Sequence, residues 1–387
     1  MKQGRLRHCL IFDPIPFNGG SKKATCEMMS VCNPDRVRFT IVTADPESWQ
    51  SHSFYQSHQV KLVTLISLGA LARATHGWRF WLKQALFTTN LVWVLLWHRG
   101  ITRLLAPAHP GTDMPAYLAS MIFGLPVIQF IHGNVPQSRS VRFCLIRAHK
   151  VFYLRSSHDS LCSAIDANSL SKLHDKRFTA FDNGIRFNDW PSQAQIGEPK
   201  LLWCASLLQW KRLDVLAAAL RKLGYDEMIP TEICYIKPKQ SLMPVCHLPN
   251  DLILTTFHEQ PDNLDAIRRS CSIFVSTSEN EPFGLSILEA LAAGLCVLIP
   301  SDGAYWDKVL HHDQNCIKYQ PTDSDSLLRA LLLVARDDER RARIARQGMM
   351  VAKHYRAEHC YWPIADYVQF SNPQKVVASG TQEHGSC

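Results

Sequence analysis

Glu281 and Glu289 stand eight residues apart around a Pro282-Phe283-Gly284 turn and an apolar helix over 285–293 that Gly294 closes. Glu289 lies about one turn inside that helix and can face a cleft, where a carboxylate accepts two hydrogen bonds from a ribose diol. Glu281 lies on the preceding loop, within reach of sugar hydroxyls. The N–H groups of Phe283, Gly284 and Leu285 are helix-start donors with no cap in the sequence. Two acidic groups and free N–H donors around one cleft suit a sugar joined to a nucleotide diphosphate. The bland reading is a surface loop with two solvated glutamates.

Three other stretches offer chemistry. A strand over 200–205 runs into a loop carrying Lys211 and Arg212, then into a helix. Cations there can neutralise a diphosphate leaving group. An ordinary basic helix start is the alternative, although cations at a helix amino end oppose the macrodipole. His132 follows a strand and precedes Gly133, where strand carboxyl ends line a cleft. It can hydrogen-bond a sugar hydroxyl or orient an acceptor; a lone histidine is otherwise structural. The loop from Asp13 to Lys22 carries Gly19 and Gly20 at the mouth of the first helix. There the backbone can approach an anion closely. Its pattern is neither G-x-G-x-x-G nor a P-loop, and a plain tight turn is the alternative. Asp323-Ser324-Asp325 before an apolar-periodic helix reads as a cap and not as a metal site. No other cluster suggests a metal, and no nucleophile elbow is present.

These residues need a scaffold of alternating strands and helices. Strands are expected at 7–12, 39–43, 60–65, 101–105, 127–131 and 150–154, with helices at 22–31 and 115–123. A second series starts at 200–205 and continues with strands at 232–236, 252–257, 271–276, 295–299 and 316–319. Its helices are expected at 213–223, 263–270 (capped by Asp262), 324–335 and 338–354. Such alternation predicts parallel sheets covered by helices, and two doubly wound domains would bind ligand between them. A length of 387 residues also favours two domains. The boundary is expected in the polar stretch 183–195, and residues 372–387 read as a disordered tail.

The net charge of +8 suits anionic ligands or an anionic membrane surface but is too diffuse for nucleic acid. Thirteen cysteines show no C-x-x-C pair, and Cys204, Cys234, Cys271 and Cys296 read as small core residues. No secretory signal is recognised, so a cytoplasmic protein is the simplest expectation. The segment 78–97 has two readings. It is a partly buried helix of an α/β domain, or a surface helix that docks on anionic lipid through tryptophans and basic residues.

Taken together these residues resemble glycosyltransferase family 4, retaining enzymes of the GT-B fold. Glu281-x7-Glu289 with its Pro-Phe-Gly core is similar to the family signature. Asn18-Gly19-Gly20 looks like its first glycine loop, His132-Gly133 like its active-site histidine, and Asn183-Gly184-Ile185 like the opening of its second domain. Lys211 matches the lysine that contacts the donor diphosphate. The resemblance implies an α/β fold of two Rossmann-like domains. Residues 1–185 would bind acceptor, 186–354 would bind nucleotide sugar, and 355–371 would cross back to the first domain as a helix. It implies metal-independent transfer, without cofactor, from a UDP- or GDP-sugar to a glycan or lipid-linked acceptor. A bacterial surface polysaccharide, built in the cytoplasm or peripherally at the inner face of its membrane, is the expected setting. One departure stands out. The family usually has Gly-Arg where this chain has Ala205-Ser206. Either Arg212 replaces that arginine, or Lys211 and backbone N–H groups hold the diphosphate, or activity is weakened or lost. A nucleotide-sugar epimerase and a non-catalytic nucleotide-sugar or partner-binding protein are the alternatives.

Overall fold

The computed structural model describes residues 6–16, 19–66, 74, 77–165, 176–195, 197–237 and 244–371; Asn18 and the tail 372–387 lie outside them. Seven strands form the first sheet: β1 (Arg7–Asp13), β2 (Val37–Thr43), β3 (Gln59–Thr64), β4 (Arg103–Ala106), β5 (Val127–Ile131), β6 (Lys150–Leu154) and β7 (Phe178–Phe181). Their order is β3-β2-β1-β4-β5-β6-β7, with parallel pairing such as Ile11 to Ile41 and Leu10 to Leu104. The second sheet holds β8 (Leu201–Ser206), β9 (Thr231–Ile236), β10 (Thr255–Glu259), β11 (Ile273–Val275), β12 (Cys296–Pro300) and β13 (Ile317–Tyr319), in the order β10-β9-β8-β11-β12-β13. Both sheets reverse direction beside their first strand, between β1 and β4 and between β8 and β11. Ligands of doubly wound sheets bind at the carboxyl ends of such switch points. The expected pair of Rossmann-like domains is therefore what this sequence builds.

Side-chain alternation explains the layers, because successive strand residues point to opposite faces. Leu10, Phe12 and Leu104 pack against the helices Gly77–Trp97, Met114–Phe123 and Arg139–Arg147. Cys9, Ile11 and Phe39 face the opposite layer, which includes helices Gly20–Ser30 and Trp362–Phe370. The last of these crosses back to the first domain, where the Arg103 guanidinium donates to the carbonyls of Tyr367 at 2.9 Å and Ser371 at 2.7 Å. The crossing point explains Asn183-Gly184-Ile185. A Cβ on Gly184 would lie 2.7 Å from the backbone nitrogen of Ala357, so only glycine fits. The Tyr361 hydroxyl accepts from the Gly184 N–H at 3.0 Å and donates to Asn183 Oδ1 at 3.1 Å.

Several elements depart from expectation. β10 begins three residues later than 252, because Leu254 sits in the left-handed region with φ 52°. Asp262 does not cap the next helix, which spans Leu264–Arg269 with Asn263 before it and no side-chain cap. Asp323 does cap its helix, accepting from the N–H groups of Asp325 and Ser326. The crossing segment is two helices, Ala357–Cys360 and Trp362–Phe370, because Pro363 starts a new helix more readily than it continues one. Cys234, Cys271 and Cys296 are buried, whereas Cys204 is half-buried.

Candidate functional site in the interdomain cleft

The loop after β11 and the helix Leu285–Ala293 supply the acidic half of the site. Gly284 precedes that helix at φ +75°, and a Cβ there would lie 2.9 Å from both Glu281 Cγ and Ile287 Cδ1. This crowding fixes Glu281 against the helix start, which no side chain caps. Phe283 is buried in a cluster with Tyr305, Trp306 and Tyr355, at ring separations of 4.8, 5.3 and 6.0 Å. Its side chain anchors the loop, and its backbone remains near the cleft. Glu281 forms an ion pair with Lys211, the last residue of the short turn Gln209–Lys211 that follows β8. The Lys211 ammonium also lies 3.9 Å above the Trp210 ring, and its carbonyl accepts from the Thr277 hydroxyl at 2.7 Å. The two strands flanking the switch point thus bring Lys211 and Glu281 together from 70 residues apart.

Arg212 occupies the left-handed region at φ 52°, a conformation cheapest for glycine. Its guanidinium binds Asp214 at 3.0 Å and also meets Glu279. The hydrogen bonds it donates to Asp214 and Glu279 hold it further in its charged form. Asp214 lies in the first turn of helix Leu213–Leu220, so it also offsets the cost of a cation at that helix start. Ser206 ends β8, half-buried and in register with Ile236.

Glu289 joins the two domains. Its Oε1 pairs with Lys23 of the first domain at 2.5 Å, and its Oε2 with Arg268 of the second at 2.6 Å. Burial pushes the Glu289 carboxyl up, but Lys23 and Arg268 outweigh that and hold it below its usual range. Glu289 in turn raises the Lys23 ammonium above its ordinary value. Lys23 rides on the first turn of helix Gly20–Ser30, which starts after Gly19 without a side-chain cap. Gly20 has open space where a Cβ would sit. Behind the loop, buried Lys22 pairs with Asp13 at 3.2 Å and Asp45 at 2.9 Å.

His132 lies just past β5, with Nε2 3.2 Å from the Thr25 hydroxyl and its ring edge-on to Phe181. Its buried Nδ1 has no hydrogen-bond partner among the described residues. Burial pushes its pKa down to about 4, so the ring is neutral at ordinary pH. The domains approach closely here, since a Cβ on Gly133 would come 3.9 Å from Pro282. One cleft therefore gathers Gly19, Gly20 and His132 from one side, and Lys211, Glu281, Gly284 and Glu289 from the other. Lys23, Arg268, Thr25 and Trp210 were missed by sequence reasoning. Lys23 had one legible signal, a cation one turn from two glycines at a helix mouth. Arg268 had none, because its partner is 21 residues away.

The two facing parallel sheets have the two-domain GT-B fold. Residues 185–349, most of the second domain, match the family described as Glycosyl transferases group 1. The chain is 29% identical to glycogen synthase of Mycobacterium tuberculosis over 254 residues, 61% of each protein. It is also 29% identical to sucrose-phosphate synthase 1 of Arabidopsis thaliana over 143 residues, 35% of this chain. It spans only 61% and 13% of the length of these relatives. Among solved structures, Anabaena Alr3699/HepE in complex with UDP-glucose superposes with a TM-score of 0.72 and 16% identity, over 93% of this chain and 99% of that one.

Proposed function

We propose that this chain transfers a sugar from a nucleotide diphosphate sugar to a glycan or lipid-linked acceptor, with retention at the anomeric carbon. The setting is the assembly of a bacterial surface polysaccharide at the cytoplasmic face of the membrane. The observation that carries this reading is the Lys211–Glu281 pair at the β8/β11 switch point, set beside a Glu289 that reaches Lys23 at the glycine loop. Glu289 holds the ribose diol. Glu281 and the N–H groups of Phe283 to Leu285 position the sugar and diphosphate, with Gly19 and Gly20 leaving room for the phosphates. Lys211, rather than a metal, meets the charge that develops on the departing diphosphate. The C1–phosphate bond breaks, the acceptor oxygen bonds C1 on the same face, and its proton passes to the leaving phosphate oxygen. Neutral His132, whose Nδ1 has no partner among the described residues, contacts the sugar near that centre.

A UDP-sugar is the first donor to try, because the similar HepE structure contains UDP-glucose. UDP-, GDP- and ADP-sugars should be compared for thermal stabilisation and for slow hydrolysis of the donor. One of them should raise the melting temperature and release nucleoside diphosphate. If none binds at millimolar concentration, the reading fails. A binding protein without activity is the second reading, favoured by Ser206 and by an Arg212 already engaged by Asp214 and Glu279. Stabilisation without turnover under any acceptor would select it. Interconversion of the donor sugar without acceptor would instead identify an epimerase.

A further inference from the structure

The outer stripe of helix Gly77–Trp97 is the least explained surface of the molecule. At 100° per residue, the buried positions Gln84, Phe87, Leu91, Val94 and Leu95 fall on one side and fill the core of the first domain. The opposite side should then be polar. It instead carries Trp78 (70% exposed), Trp81 (57%), Trp93 (62%) and Trp97 (70%), with Leu82 and Leu96 between them. Met121 and Ile122, each 63% exposed, extend the surface onto the neighbouring helix Met114–Phe123. Next to it, helix Arg139–Arg147 exposes Ile146. An apolar face of this extent on a soluble domain marks an interaction site.

The stretch of chain that builds this face is strongly basic. Residues 48–158 contain one acidic residue, Asp113, against eleven lysines and arginines, a net of +10. The whole chain carries +8, so everything outside this stretch sums to −2. Asp113 is fully buried and contributes nothing to the surface. Arg79, Arg99 and Arg147 are exposed with no acidic partner among the described residues. Arg79 lies 5.5 Å from the Trp78 ring centre and Arg147 4.0 Å from that of Phe143, so cations are interleaved with the aromatic rings.

We propose that this face docks the protein on an anionic lipid bilayer, with helix Gly77–Trp97 lying in the interfacial plane. Tryptophan prefers that depth, where its ring is buried and its N–H stays wet. Arginines at the rim meet lipid phosphates. No described helix is long and apolar enough to cross a membrane, and the inner side of this one is already committed to the protein core. It therefore lies on the surface and does not span it. A second copy of the chain fits less well, because a two-fold contact sets the same patch against itself and would bring the basic rims together. The inference extends the proposed function by putting a lipid-linked acceptor beside the cleft. Its test reads lipid binding and not turnover, so either can fail alone.

The full chain should sediment with phosphatidylcholine vesicles that contain phosphatidylglycerol at low salt. It should do so far less at high salt, and little with phosphatidylcholine alone. Replacing Trp93 and Trp97 together by serine should weaken binding on the order of tenfold or more. Arg79→Gln and Arg99→Gln should each cost about fivefold, from the roughly 1 kcal/mol that one arginine gains near an anionic surface. All variants should melt like the parent and bind nucleotide sugar equally. No association with anionic vesicles at low salt would overturn the proposal, as would equal binding to neutral vesicles. So would a parent dimer that the tryptophan changes convert to monomer, which would assign the face to a second copy.

Discussion

Helices Leu285–Ala293 and Gly77–Trp97 are both rich in apolar residues, yet the molecule treats them in opposite ways. The first buries Ile287, Leu288, Leu291 and their neighbours, is bounded by left-handed Gly284 and Gly294, and turns Glu289 toward the cleft. The second buries one stripe and presents a tryptophan stripe to solvent. The charges around them follow the same division. The second domain neutralises its own surface through pairs such as Arg221–Asp251, Lys222–Asp325 and Lys237–Glu259. The central part of the first domain has almost no acids with which to do so. Where side chains satisfy one another, their function is to hold a geometry. Where they are left unsatisfied, the surface is built for something outside the chain.

The largest expected effect tests the closed region. Gly284→Ala forces an L side chain into the left-handed region, at roughly 1–2 kcal/mol, and adds an overlap worth about 1–3 kcal/mol. The Cβ would press on Glu281 itself, so nucleotide binding should collapse together with a lower melting temperature. Trp93→Ser on the open helix should change stability by no more than about 0.5 kcal/mol. Comparable melting temperatures for these two variants would erase the contrast between the helices.

The same contrast governs what could be read from the sequence. Val127–Ile131, Lys150–Leu154, Leu285–Ala293 and Ser324–Ala335 fall where local pattern places them, because glycine, aspartate caps and apolar runs mark their ends. β7 and helix Arg139–Arg147 were not foreseen. Phe178–Phe181 is a half-buried edge strand, and Arg-Ser-Val-Arg shows weak periodicity. The apolar run Leu252, Ile253 and Leu254 reads as the start of β10, yet Ile253 and Leu254 form a turn and the strand begins at Thr255. Around the cleft, local motifs single out Glu281, Glu289, Lys211 and His132, and the fold brings these four together. Their partners were not legible, because Lys23 meets Glu289 across 266 residues and two domains. The exposed tryptophans could be counted in the sequence, but which face they occupy depends on how the helix docks on its sheet.

A smaller effect is expected at Lys211. If Lys211 meets the leaving group as proposed, Lys211→Ala should lower kcat about 10²–10³-fold. Donor affinity should change much less, because Glu289 and the helix-start N–H groups remain. Equal losses in affinity and turnover would make Lys211 a ground-state ligand, and unchanged turnover would remove it from the chemistry. The tryptophan variants should leave kcat on a soluble acceptor untouched, which keeps the two regions separable in one assay.

The smallest effects are expected in the pH dependence of stability, where the two sides of the cleft titrate in different windows. His132 has a pKa of about 4 in the folded protein against 6.5 in the unfolded chain. The unfolded state therefore binds more protons between these values, and stability falls as pH drops from 6.5 toward 4. The loss is on the order of 2–3 kcal/mol at most. Glu289 is held below its ordinary 4.5, so its contribution is present above that value and is lost as pH falls below it. Melting curves from pH 7 to pH 3 should show His132→Asn flattening the upper part of this slope and Glu289→Gln flattening only the acid end. Glu289→Gln also discharges the bridge between Lys23 and Arg268, so it should loosen the domains at every pH and make the cleft more open to proteolysis. If Glu289→Gln flattens the slope near pH 6, the histidine assignment is wrong. If it leaves the acid end unchanged, Lys23 and Arg268 do not hold that carboxylate in solution, and the contact between the two halves of the site is not a standing one.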